Sequence, residues 1–235
     1  MSETLRIPSQ FNGPLESGNG GYCSGAIAAF VGGTAEVSLR APVPLDRPLD
    51  VTRTDDGSIR VLDGETFVAE ARPVPELDVD MPAAVALEEA RPAAARYRGL
   101  PDGAFSRCFV CGRAREDALG VFAGAVEGRQ VVASPWTPPS WTADATGRVL
   151  PEFVWAVLDC PTYFATYMEQ ELAPGVLARL AARIDAPVVA GEEYAVIAWP
   201  IATDGRKRHA GSAVLSRDGE ALAVARALLI EPRAG

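Results

Sequence analysis

RAPVPLDRPLDV (residues 40–51) and DAPVVAGEEYAV (residues 185–196) align without a gap, sharing Ala-Pro-Val and a closing Val. Downstream of each lies a second matching pair, DGETFVAEAR (63–72) and DGEALAVAR (218–226), the latter one residue shorter. Each pair says little alone. Their matching order and similar spacing point to a duplicated unit, far longer than a solenoid repeat.

Around the first copy, GGYCSGAIAAF (20–30) is small, apolar and free of Pro, which predicts a short buried helix closed by Gly32-Gly33. TAEVSLRAPV, RPLDVTRT, SIRVLDG and ETFVAEAR follow as strands, with Asp55-Asp56-Gly57 and Asp63-Gly64 as turns. Around the second copy, GVFAGAVEG and RQVVASPW form a hairpin and WTPPSWTADATGRVL a loop. PEFVWAVLDCPTYFATYM (151–168) is a longer helix, with Pro151 in its first turn and Pro161 kinking it or marking its true start. VLARLAARIDAP, EEYAVIAWPIAT, AGSAVLSR and EALAVARALLIEP complete a second set of strands. Residues 76–104, rich in Ala, Glu and Pro, read as a linker with helical pieces broken at Pro82 and Pro92. The expected class is α+β: an N-terminal unit (1–75), the linker (76–104) and a C-terminal unit (105–235), each a helix with an antiparallel meander. Joining the two sheets edge to edge would hide exposed strand edges.

Composition narrows the function. Of 235 residues, 48% are hydrophobic, ample for a packed core. The net charge of -9, with only Arg206-Lys207-Arg208 as a basic cluster, argues against nucleic acid as a partner. No apolar run reaches the ~18 residues that span a bilayer, and MSETLRIPSQ has no apolar signal core. Four cysteines, Cys23, Cys108, Cys111 and Cys160, do not make a disulfide scaffold in a chain this long. The expectation is a cytoplasmic protein with reduced thiols that needs no cofactor. The single histidine, His209, sits where a turn enters a strand, so mechanisms built on histidine have one weak candidate.

A helix followed by a long meander, present twice, resembles the double hot-dog fold. SGNGGYCSGAIAAF (17–30) resembles the Gly-Gly-Tyr helix segment of acyl-CoA thioesterase II-type proteins. CFVCGRAREDALGV (108–121) is similar to the Cys-x-x-Cys-Gly opening of single hot-dog thioesterase-like domains, and VWAVLDCPTYF (154–164) resembles the segment carrying the thioesterase II aspartate. The resemblance implies an acyl-CoA thioesterase-like hydrolase acting on acyl-CoA or another acyl thioester, in a homo-oligomer, with Asp159 as base or nucleophile. Helix N-terminal N–H groups would polarise the thioester carbonyl, and Gly20 and Gly21 would permit close approach. The first unit carries Ala28 at the position matching Asp159, so one site per chain is implied. The family pairs its aspartate with a threonine and a glutamine. Ungapped placement puts Ala181 and Arg226 at those positions, which raises the alternative of a non-catalytic acyl-thioester binder. An enoyl-thioester hydratase or dehydratase is a further alternative, dependent on His209.

Each candidate also has a plain structural reading. Asp159 could cap a helix starting at Pro161. Glu152 is a second-choice acid, and a carboxylate suits a first helical turn regardless of function. Asn19 is either an N-cap or a polar contact to substrate. Trp155 and Tyr163 share a helix face and are either core or channel wall, while Trp136 and Trp141 in the Pro-rich loop could cover a ligand. Cys108-x-x-Cys111 has no second pair in the sequence, and a structural zinc needs four ligands, so no metal is expected unless folding brings Cys23 and Cys160 together with it. Gly18-Asn19-Gly20-Gly21 lacks the Gly-Lys-Ser/Thr ending of a P-loop.

Overall fold

The computed structural model describes residues 3–99, 105–168, 170–171 and 175–232. The first half comprises β1 (Glu3–Leu5), α1 (Gly20–Ala28), β2 (Ala35–Leu39), β3 (Leu49–Arg53), β4 (Ile59–Asp63) and β5 (Thr66–Pro73). Then come α2 (Leu87–Ala95), β6 (Gly124–Ala125), β7 (Val132–Trp136), α3 (Pro151–Thr166), β8 (Val176–Ile184), β9 (Tyr194–Asp204), β10 (Lys207–Leu215) and β11 (Ala221–Ile230).

Among the described residues, eleven strands form one sheet in the order β1-β3-β4-β5-β2-β8-β11-β10-β9-β7-β6. Read from each outer side toward the centre, β1-β3-β4-β5-β2 and β7-β9-β10-β11-β8 have the same connectivity, with β6 as an extra edge. The two halves meet at β2 and β8, paired antiparallel from Ala35↔Ala182 to Ser38↔Arg179. Both repeated motifs occupy equivalent places: Ala-Pro-Val follows β2 and β8, and the Asp-Gly-Glu turn leads into β5 and β11.

One face of the sheet packs on α1 and α3 in a core that draws residues from both halves, such as Val37, Val61, Leu158, Leu180 and Ala225. α1 is apolar nearly all round because it is enclosed by sheet on one side and α3 on the other. The opposite face carries α2, whose Leu87, Ala90 and Ala93 cover Val131, Ala133, Ile197 and Trp199. The segment read as a linker therefore supplies a packed helix, while its residues 100–104 lie outside the described residues. Pro92 does not break this helix. Apolar packing and the Glu89 carboxylate, which accepts from the Ala86 N–H at 3.0 Å, offset the hydrogen bond that proline removes.

α3 likewise runs through Pro161. Proline removes one N–H and crowds the carbonyl one turn back. Two hydroxyls serve carbonyls in this weakened turn: Ser212 donates to Leu158 O at 2.6 Å, and Thr162 to Asp159 O at 2.6 Å. Among the described residues no helix is long and apolar enough to cross a membrane.

Candidate functional site

The site forms where the N-terminus of α1 meets the middle of α3. The Asn19 side chain caps α1, its Oδ1 accepting from the Tyr22 N–H at 2.9 Å. Gly21 and Gly25, one turn apart, present bare backbone to α3. A Cβ on Gly21 would stand 2.5 Å from Asp159 Cβ and 2.6 Å from the Trp155 carbonyl oxygen. A Cβ on Gly25 would stand 2.6 Å from Glu152 Cα. This close approach delivers the Asp159 carboxylate to the helix N-terminus, where Oδ2 accepts from the Gly21 N–H at 2.8 Å.

Asp159 is 7% exposed. Burial pushes its carboxyl up to about 7, against the opposing pull of the Gly21 N–H. Among the described residues, no hydrogen bond reaches its Oδ1 or the Gly20 N–H. Gly20 itself is hemmed in: a Cβ there would lie 2.9 Å from Leu177 and 3.2 Å from Asp159 Oδ2. Gly20 and the Asp159 carboxylate are thus neighbours, and each keeps one polar atom that no hydrogen bond occupies among the described residues, the kinds of group that polarise a carbonyl and activate a water.

The structure brings Asn19, Gly20, Gly21 and Asp159 together. Asp159 is not the start of a second helix, because α3 is continuous through it. Glu152 lies two turns earlier, against Gly25 and near Tyr22, and is not part of this cluster. Trp155 is buried at the helix crossing and belongs to the core, which Tyr163 lines half-buried. Trp136 is buried; Trp141 is 48% exposed and packs against Phe11 and the edge of Phe153. His209 lies within β10, paired with Ala202 and Leu228.

Arg226 requires a correction. It pairs with Ala181, which pairs with Glu36, and in the other direction Gly211 and Trp199 continue the row. Paired residues share a face, and Trp199 belongs to the α2 side. Arg226 is therefore exposed on the face opposite Asp159. Ala225, Ala227, Leu180 and Ala182 point toward α3 instead, the outcome of a one-residue offset in an ungapped strand placement. Neither offset restores a threonine or glutamine, for β8 (VLARLAARI) and β11 (ALAVARALLI) contain none.

The isolated Cys-x-x-Cys also gains a companion. Folding brings Cys160, next to Asp159, onto Cys108 and Cys111, all three sulfurs lying within 4.8 Å of one another. Cys23 does not join them. Hydrogen bonding with Cys111 and Cys160 holds the Cys108 thiol well below its usual range. The nearby Tyr97 hydroxyl donates to the Cys111 carbonyl at 2.7 Å. No pattern in the sequence links Tyr97 or Ser212 to this region; Tyr97 comes from the segment after α2 and Ser212 from β10.

No protein-family model matches the chain, and no curated protein matches it by sequence. Solved structures do. The tesB protein of Mycobacterium avium subsp. paratuberculosis is 14% identical, with TM-score 0.62 over 99% of this chain and 93% of that one. A conserved protein of unknown function with a hot dog fold from Alicyclobacillus acidocaldarius is 12% identical, with TM-score 0.62 over 100% and 94%. A putative thioesterase II from Thermobifida fusca is 10% identical, with TM-score 0.61 over 99% and 92%. At these identities the likeness concerns the fold, and it spans the whole length of the chain together with the duplicated strand order: the protein is a double hot-dog protein.

Proposed function

We propose that the protein is a thioester hydrolase acting on acyl-CoA or a related acyl thioester. The reading rests on one juxtaposition, the Asp159 carboxylate against the N-terminus of α1, with Gly20 its neighbour and the Gly20 N–H free of any hydrogen bond among the described residues. A thioester carbonyl placed on that N–H gains a donor that strengthens as negative charge develops on oxygen. Asp159 Oδ1 then takes a proton from the attacking water, and collapse of the tetrahedral intermediate expels the thiolate. Gly21 keeps the carboxylate oriented through Oδ2. The names of the structural neighbours, tesB protein and putative thioesterase II, favour the same class of reaction. Self-association of such units and a cytoplasmic setting belong to the same proposal.

One observation favours a second reading. The absence of threonine and glutamine from β8 and β11 leaves no side-chain amide or hydroxyl on those strands' α3 side to fix a water. A protein that binds acyl thioesters without cleaving them is the alternative. Thiol release from acyl-CoAs by the wild type and by Asp159→Asn separates the two: hydrolysis requires turnover that the variant lacks. A binder shows thermal stabilisation by ligand and no released thiol.

A further inference from the structure

The hydrolase reading makes no use of the three clustered cysteines, and their geometry has its own logic. Cys108 Sγ and Cys160 Sγ are 3.8 Å apart, far beyond a disulfide bond of about 2.05 Å. Two sulfurs bound to one tetrahedral zinc at about 2.3 Å each must lie about 3.8 Å apart. Cys111 Sγ completes a triangle in which no edge exceeds 4.8 Å.

The surroundings are arranged for sulfur that carries charge. Asn19 Nδ2 lies 3.6 Å from both Cys108 Sγ and Cys160 Sγ, and the Val110 N–H points at Cys108 Sγ from 3.5 Å. A neutral thiol is a weak acceptor, whereas a metal-bound thiolate takes such N–H donors well. The Cys-x-x-Cys turn is wound tightly enough to put both its sulfurs on one side. The Gly112 N–H donates to Cys108 O at 2.8 Å, and a Cβ on Gly112 would stand 2.5 Å from that oxygen.

We propose that Cys108, Cys111 and Cys160 bind one zinc ion as thiolates, the fourth position being filled by water or another small ligand. Zinc suits three clustered sulfurs in a site with no fixed redox role. Among the described residues, no further His, Cys, Asp or Glu completes the set. Asn19 cannot turn its oxygen to the metal without giving up the cap on α1. Three thiols lose their protons on binding, so three thiolates and Zn²⁺ leave a net charge of about -1 and affinity falls as pH falls. The ion ties the entry turn of the second half to the middle of α3, with Asn19 of α1 hydrogen-bonded to two of its ligands. This proposal does not depend on the reaction assigned to Asp159.

The test is elemental analysis of full-length protein, produced with zinc present and purified without chelator or metal-affinity resin, followed by cobalt substitution. The expected result is about one zinc per chain and a strong thiolate-to-cobalt charge-transfer band after exchange. Cys111→Ser and Cys160→Ser should each lose the band, while Cys23→Ser keeps it. Should the serine variants misfold, wild-type zinc content and thiol titration before and after chelation decide alone: chelation must expose three additional reactive thiols. Zinc-free wild type that takes up no cobalt would overturn the proposal. So would a Cys108–Cys160 disulfide in the purified protein, or a cobalt band that survives in Cys160→Ser.

Discussion

The Gly21 N–H donates to Asp159 Oδ2 at 2.8 Å, joining the N-terminus of one helix to the centre of another 138 residues away. The bond makes Asp159 both a structural acceptor and the candidate base, and pH separates the roles. A buried carboxyl raised from about 4 to about 7 stabilises the fold fully only below the unfolded value, and that contribution is lost as pH rises through about 7. The ceiling is roughly 4 kcal/mol. Asp159→Asn keeps an acceptor for Gly21 without the charge. It should melt above the wild type at pH 8, and the gap should close toward pH 4. A variant less stable than wild type at pH 8 would contradict this account of the carboxylate.

The helix contact that positions Asp159 tolerates no added carbon. Gly21→Ala places a methyl 2.5 Å from Asp159 Cβ, and Gly25→Ala places one 2.6 Å from Glu152 Cα. Each should destabilise by about 1–3 kcal/mol in urea titration, despite the gain in helix propensity. Because both act on one interface, the double variant should deviate from additivity.

The two faces of β11 should respond differently to substitution. Arg226→Ala removes an exposed side chain on the face away from α3 and should change stability by less than about 0.5 kcal/mol. Ala225→Leu overfills the α3 side and should cost about 1–3 kcal/mol. Equal effects would contradict the observed register.

Ser212→Ala tests the support of the proline-weakened turn. It removes the buried hydrogen bond to Leu158 O, next to Asp159, and should cost about 1 kcal/mol in urea titration. An unchanged denaturation midpoint would mean that the turn does not need this bond.

Much of this architecture was legible in the sequence. Ala-Pro-Val at residues 41–43 and 186–188 marks the duplication, because each follows the strand that forms the seam. Apolar, Pro-free residues after Gly20 fix α1, and Asp-Gly turns fix the meanders. What escaped is what depends on tertiary contact. Pro92 looks like a helix breaker, yet α2 continues because its apolar face is covered by the sheet. The three-residue β1 has too short a pattern to stand out and exists through pairing with β3. Arg226 falls on the wrong face because strand periodicity turns a one-residue offset into inside-out placement. Cys160 meets Cys108 across 52 residues, a distance no local motif spans.

The most direct measurement of the central claim is thiol release from short, medium and aromatic acyl-CoAs, with wild type and Asp159→Asn assayed side by side at pH 8. The account predicts turnover by the wild type on at least one substrate and a loss of at least about a hundredfold in the variant, in line with removal of a general base. Equal turnover in both proteins, or none in the wild type across the panel, would contradict it.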